Sequence, residues 1–299
     1  MNKSFTLIEI LVVIVIVGII SAFIIVSVSG VSQKANIAKG QAFSNSLKNS
    51  LLLNLVSEWK LNETSGTEVS DSWSGGNTGT WYGEGGDYTS PSWRTGSECV
   101  SGGCLAFDGT DDYVSIVDSD SLKMDSGNIT IMAWAKSDKD SYGSLYGIAI
   151  KYPVGQGTTP FYGLEISNSN WGFRVRDVSG NSIQLLKPII KDKWMLLVGV
   201  RDGNKAKLYI NGKIESENTT ATLGSTNNDH PFNIGRYWTT ASFSGLIDDV
   251  QIYNAAIPTS RIQQNYYSGL SKLLVQSGFD MVEYQQRIGE LKFGLSNNE

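Results

Sequence analysis

One histidine, His230, occurs among 299 residues, together with only two cysteines. That scarcity removes the clustered His and Cys ligands of zinc and iron–sulfur centres, and any His-paired nucleophile that does not use His230 itself. Basic residues are also in short supply. Lys and Arg number 24 against 29 Asp and Glu, for a net charge of -5, so the chain lacks the basic footprint of a nucleic-acid binder. There are only six prolines, all at Pro91 or beyond, so nothing earlier breaks a helix. What the chain has is 32 glycines and 10% aromatic residues, a mixture suited to strands and tight turns. Its length fits one large domain with an appendage.

The N-terminus differs from the rest. Ile10 to Val28 is a run of nineteen residues without a charge, roughly 28 Å long as a helix and close to the ~30 Å of a bilayer core. Before it stand Met1-Asn2-Lys3-Ser4 and Phe5-Thr6-Leu7-Ile8-Glu9. An acid at the edge of a spanning helix needs a partner, since an Asp at mid-membrane costs roughly 2.5–3.5 kcal/mol on insertion scales. A secretory signal would be cut after the apolar run, where Ile20-Ser21-Ala22 is a poor small-x-small match. An uncleaved anchor accounts for the hydrophobicity but not for Glu9. Lipoprotein processing is excluded, because no cysteine precedes Cys99.

The short basic leader, F-T-L-I-E and the apolar helix together resemble the type IV prepilin family. The resemblance implies that a prepilin peptidase/methylase cuts the Ser4–Phe5 bond and N-methylates Phe5. It also implies that Glu9 pairs with the Phe5 ammonium of a neighbouring subunit during filament assembly. Ser4 departs from the family's usual Gly or Ala. A subunit of this kind sits in the inner membrane as a single-pass protein with its head outside the cytoplasm, and reaches the cell surface once assembled.

Helical spacing continues through Val31, Ala35, Ala38 and Ala42 to Leu47, Leu51 and Leu55. After the leader over 1–4 that the resemblance implies, it predicts one helix over 5–54, whose second half packs on the head or serves as a stalk. From residue 55 to 257 the period becomes two, as in Tyr113–Val117, Ile129–Ala135 and Trp171–Arg176, with hairpin turns at Asp202-Gly203-Asn204 and Asn211-Gly212. The expected fold is mainly β, a sandwich carried on a long N-terminal helix.

Ordered pieces of this region resemble the laminin-G-like jelly roll of the concanavalin A superfamily. They include Trp59-Lys60-Leu61-Asn62, Leu105-Ala106-Phe107-Asp108-Gly109, Leu208-Tyr209-Ile210-Asn211-Gly212, Asn233-Ile234-Gly235-Arg236 and Phe243 to Tyr253. Phe107, Val114, Ile116, Ile131, Ala133, Val250 and Ile252 are the expected inter-sheet core, with Trp59, Trp134 and Trp194 as further core fillers. The resemblance implies a calcium ion tying an early strand end to the last strand through Asp108 and Asp249, with Asp71 a weaker third ligand. Ca²⁺ takes six to eight oxygens, and the alternative is that Asp108-Gly109 and Asp111-Asp112 make Asx-turns.

Cys99 and Cys104 flank Val100-Ser101-Gly102-Gly103 and read as a disulfide stapling a hairpin, in a compartment where such bonds persist. No catalysis is expected. Glycosidase chemistry needs paired carboxylates on one strand, and Glu215/Glu217, in a polar stretch beside a turn, and Asp118/Asp120, at a strand end, are poor candidates for it. At least one of Trp81 and Trp238 is expected to lie on an exposed groove that takes a glycan or a surface protein. Pro258-Thr259-Ser260 opens a helical tail over 258–299, with Gly269 as the stop of its first helix and an interruption at Gly278. The whole reads as a filament subunit that displays a lectin-like adhesion domain. The competing reading is a membrane-anchored monomeric receptor for carbohydrate or protein.

Overall fold

The computed structural model describes residues 54–73, 76–83, 92–124, 127–152, 159–220, 222–237, 242–276 and 280–296. The predicted leader and N-terminal helix therefore lie, Asn54 apart, outside the described residues, as do Trp238 and Gly278. Among the described residues no helix is long and apolar enough to cross a membrane.

Two antiparallel sheets form the body. The first runs β14 (Lys213–Asn218), β13 (Lys205–Ile210), β12 (Met195–Asp202), β7 (Asn128–Ser137), β16 (Ser244–Tyr253), β5 (Gly103–Asp108) and β4 (Ser92–Thr95), with β1 (Leu55–Trp59) also paired to β16. The second runs β11 (Ser182–Pro188), β10 (Asn170–Arg176), β9 (Phe161–Ser167), β8 (Leu145–Lys151), β15 (Phe232–Ile234), β6 (Tyr113–Ile116), β3 (Gly79–Tyr82) and β2 (Glu68–Val69). Both predicted hairpins form. Asp202 pairs with Lys205 and Ile210 with Lys213, and Gly203, Asn211 and Gly212 supply the positive φ that two-residue turns need.

Alternation decides what each strand buries. Phe107, Val114, Ile116, Ile131, Ala133, Val250 and Ile252 all lie in the inter-sheet core. Trp59 crosses that core to stack on Phe232, with ring centroids 5.3 Å apart, and donates its indole N–H to the Asn77 carbonyl at 2.8 Å. Trp134 is also buried, but it is out of phase with Ala133 and Ala135 and faces away from the opposing sheet. There it stacks on Tyr266 at 5.8 Å.

Tyr266 belongs to α1 (Thr259–Gln276), which lies over the outer face of the first sheet. Ile262, Tyr266, Leu270 and Leu273 form its buried stripe, and each such side chain contributes about 1.5–3 kcal/mol. The expected stop at Gly269 is corrected, because the helix runs through it. A Cβ there would lie 2.2 Å from Trp134 Cζ2, so this glycine lets the helix sit down on the indole. Packing outweighs the ~1 kcal/mol that glycine costs a helix. A second helix, α2 (Met281–Ser296), follows, and its Arg287 donates to the Trp194 carbonyl at 2.8 Å.

The chain divides into two units, 1–53 and 54–299, and only the second contains described residues.

Candidate binding site

Asp108 ends β5, and the chain then crosses from one sheet to the other through Gly109–Asp112. Gly109 has a φ of 81°, and the turn closes with Asp108 Oδ1 accepting the Thr110 N–H at 2.7 Å and Asp112 Oδ2 accepting the Asp108 N–H at 2.9 Å. The first of these is the Asx-turn expected from Asp108-Gly109, whereas Asp112 reaches back across the turn instead. Together these contacts bring carboxylate oxygens of Asp108, Asp111 and Asp112 within 4.8 Å of one another. Burial, helped by the charges of Asp108 and Asp111, pushes Asp112 up to about 6. A cation would relieve that crowding.

The expected pairing of Asp108 with Asp249 does not occur. Asp108 sits opposite Ser244, so Asp249 lies five residues further along β16, roughly 16 Å at strand rise. Asp71 is engaged elsewhere. Its Oδ1 accepts from Glu58 and Trp73 N–H at 3.0 Å each and its Oδ2 from Asn77 N–H at 3.1 Å, which pins the 71–77 loop to β1. The three acids predicted as one metal set therefore belong to three different places.

Directly after Asp112 the chain enters β6 with Tyr113, whose partner in β3 is Tyr82. The two rings stack with centroids 5.0 Å apart, and the Arg236 guanidinium carbon lies 3.1 Å from the Tyr113 centroid. Tyr82 is 46% exposed whereas Trp81 is only 8% exposed. Of the two expected rings Trp81 is therefore buried, its neighbour Tyr82 is exposed, and Trp238 lies outside the described residues. In β3 the core face takes Gly79 and Trp81, and the outer face takes Thr80 and Tyr82. The platform adjoins the acidic turn, because a Cβ on Gly83 would lie 2.7 Å from Asp112 Oδ1. One rim of the sandwich thus carries an exposed aromatic face, a guanidinium and a carboxylate cluster.

Cys99 and Cys104 form the predicted disulfide, and both are fully buried. The loop they close is fastened to the last strand by Asp248, whose Oδ2 accepts the N–H groups of Val100 at 2.8 Å and Ser101 at 2.9 Å. Burial and the neighbouring Asp249 charge hold Asp248 well above the usual carboxylate range. The acids with glycosidase spacing are committed to ion pairs. Glu215 meets Lys187 at 2.6 Å and Glu217 meets Lys207 at 3.9 Å. Asp118 holds the buried Lys151, and Lys123 at 3.4 Å, while Asp120 also meets Lys123 at 3.4 Å. Lys151 donates in addition to the His230 carbonyl, so His230 serves the core through its backbone.

A further acid went unnoticed in the sequence. Glu165 on β9 is fully buried, with one oxygen accepting from Gln184 Nε2 at 2.6 Å and the other without a partner. Its cross-strand neighbours are Gly147 and Gly172. Burial pushes it up to about 7.

With this geometry in hand, comparison with known proteins is informative. The family profile described as the concanavalin A-like lectin/glucanases superfamily matches residues 108–263. The chain belongs to this superfamily. A profile described as the prokaryotic N-terminal methylation motif matches residues 1–25, the segment that holds Ser4, Phe5 and Glu9. No curated protein matches the chain.

Among solved structures sharing the superfamily's fold is the botulinum neurotoxin serotype D binding domain, with a TM-score of 0.58, 16% identity and 75% of this chain covered. The serotype D ligand binding domain in complex with N-acetylneuraminic acid matches at TM-score 0.58 and 15% identity over 75% of this chain. This chain spans 53% of each of those neurotoxin chains. Domain 4 of AbnA, an extracellular arabinanase from Geobacillus stearothermophilus in complex with arabinotriose, matches at TM-score 0.53 and 20% identity, over 71% of this chain and 97% of that one. The two neurotoxin structures are described as binding domains, and the AbnA structure as one domain of an arabinanase.

Proposed function

We propose that the chain is a pilin-like filament subunit whose lectin-like head binds glycan at the Tyr82–Tyr113 platform. The observation that carries the binding half is the exposed Tyr82 ring, stacked on Tyr113 beneath Arg236 and next to the acidic turn. A flat apolar face beside hydrogen-bonding groups suits a sugar ring, which is apolar on its faces and hydroxylated at its edge. Two structures of this fold hold sugars, N-acetylneuraminic acid in one and arabinotriose in the other. The methylation motif supports the filament half. It fits a route in which the prepilin peptidase/methylase cuts at Ser4–Phe5, the chain waits in the inner membrane with its head outside the cytoplasm, and assembly carries it to the cell surface.

Two measurements test the reading. N-terminal mass spectrometry of the native protein should find a chain beginning at N-methylated Phe5, and an intact Met1 would instead favour a receptor that never assembles. On a glycan array, Tyr82→Ala should weaken the strongest signal by about fivefold, the factor set by roughly 1 kcal/mol of lost stacking. An unchanged array from a folded Tyr82→Ala chain would remove the platform from the account.

Calcium belongs to the same proposal, moved from the Asp108/Asp249 pair to Asp108, Asp111 and Asp112. Three carboxylates within 4.8 Å supply part of a Ca²⁺ shell, which backbone carbonyls and water complete. At about a hundred times its Kd the ion would stabilise the head by about 2.7 kcal/mol. The detergent-solubilised chain should therefore melt about 5–10 °C lower in chelator than in calcium. Asp111→Asn should abolish the difference, and coincident curves for the unaltered chain would show that no ion binds there.

A further inference from the structure

A cavity of about 380 Å³ lies between α1 and the outer face of the first sheet. It is remote in the fold from the Tyr82 platform, which sits on the second sheet. Its construction follows from two local irregularities. On α1, the buried stripe Ile262, Tyr266, Leu270 and Leu273 is flanked by Arg261, Asn265, Ser268 and Lys272, spaced so that all four fall on one face and line the cavity. On β16, the register slips between Asp248 and Gln251, where the strand changes partner from β5 to β1. The extra residue is Asp249, with a φ of 45°. That conformation costs a non-glycine residue roughly 1–2 kcal/mol, and it turns the carboxylate into the cavity opposite the helix.

The charges do not balance. Glu58 pairs with Lys60 at 3.4 Å, and Asp249 pairs with Lys272 at 3.5 Å. Arg261 is left with no carboxylate partner among the described residues. Its Nε is buried without a hydrogen bond, and its side chain meets only neutral groups, Gln264 at a long 3.4 Å and the Tyr253 hydroxyl. A guanidinium in that state, at the wall of a cavity, is built to take a carboxylate through two parallel N–H bonds. The remaining lining offers both donors and acceptors, from Asn62, Ser101 and Asn265, against one indole wall at Trp134. Mixed donors and acceptors match hydroxyl groups, which need both. The volume lies near the lower end of small-molecule sites, about 300–1,000 Å³, which limits the occupant to one or two rings.

We infer that this cavity is a second binding site, specific for a single sugar acid, whose carboxylate meets Arg261 and whose hydroxyls meet Asn265, Glu58 and Asp249. The site is independent of the glycan platform. It also abuts the disulfide loop, since Lys272 donates to Ser101 Oγ at 2.9 Å.

The test is isothermal titration of the full chain in detergent with glucuronate and, separately, with glucose. Glucuronate should bind saturably and at least about tenfold more tightly than glucose, the discrimination that one charged hydrogen-bonded pair provides. Arg261→Gln should bring the two sugars level, while Tyr82→Ala should leave glucuronate binding unchanged. Should Arg261→Gln fail to fold by circular dichroism, Ser268→Phe, placed at an exposed rim position, should block the mouth and abolish binding. Absence of saturable glucuronate binding at millimolar concentration, equal binding of the two sugars, or binding undiminished in the folded variants would overturn the assignment. Loss of glucuronate binding in Tyr82→Ala would overturn the independence of the two sites.

Discussion

Glu9→Ala is expected to leave the chain inserted in the membrane and to abolish its incorporation into filaments. The substitution makes an apolar run more apolar, so insertion has no reason to suffer. On the proposed filament reading, what it removes is the partner of the methylated Phe5 ammonium. Either charge alone is costly in lipid or in a filament interior, whereas the pair largely cancels, so a subunit in the wrong axial register leaves two charges exposed to that cost. Breaking a buried pair by removing one partner costs about 3–5 kcal/mol, enough to lower incorporation at least a hundredfold. Membrane fractionation beside immunodetection of sheared filaments reads the two halves separately. Filaments that contain the variant at normal level would sink the register argument.

Glu165→Gln is expected to stabilise the head at alkaline pH by roughly 3 kcal/mol and to flatten its pH dependence. In the folded chain this carboxyl titrates at about 7, against 4.5 for the unperturbed group, because it is buried. Between those two values the folded state holds a proton that the unfolded state has released. Stability is therefore whole below about 4.5, falls as pH rises through the interval, and stays lower above 7. At about 1.4 kcal/mol per pH unit the loss comes to roughly 3 kcal/mol. Glutamine keeps the shape and can accept the Gln184 hydrogen bond without ever ionising. Denaturant unfolding at pH 5 and pH 8 should show a fall for the native sequence that the variant lacks. Equal falls in both would mean that Glu165 ionises freely in the folded chain.

The two faces of the sandwich were plain in the sequence where strands are long. In β7 and β16 the apolar residues repeat often enough to fix which side is inside, and all seven named core positions lie there. In β3, four residues long, alternation says only that Trp81 and Tyr82 face opposite ways. The bulkier ring took the core and the one with a hydroxyl took the solvent. The expected meeting of Asp108 with Asp249 failed for a different reason. Strand register decides which acids meet, and β5 pairs with β16 only from Ser244 to Ile247, a limit that leaves no mark in residue type. Gly269 misled because local propensity favours a stop, while the indole on the sheet beneath it is known only in three dimensions. The disulfide was legible because a loop so short leaves its two cysteines little freedom to be far apart.

The ends of the two sheets bear on crowding. Among the described residues, the first sheet is bordered by β14, which carries Lys213, Glu215 and Glu217, by β4, only four residues long, and by β1, bridged at Trp59 to Asp71; the second is bordered by β11, which finishes on Lys187 and Pro188, and β2, which has two residues. Short, charged or proline-ended borders resist the addition of a further strand from another molecule. Heads held side by side at high local concentration would therefore meet through side chains alone. Their backbones would stay unzipped, so that contact between neighbours remains reversible and does not pass into continuous, irreversible β-stacking.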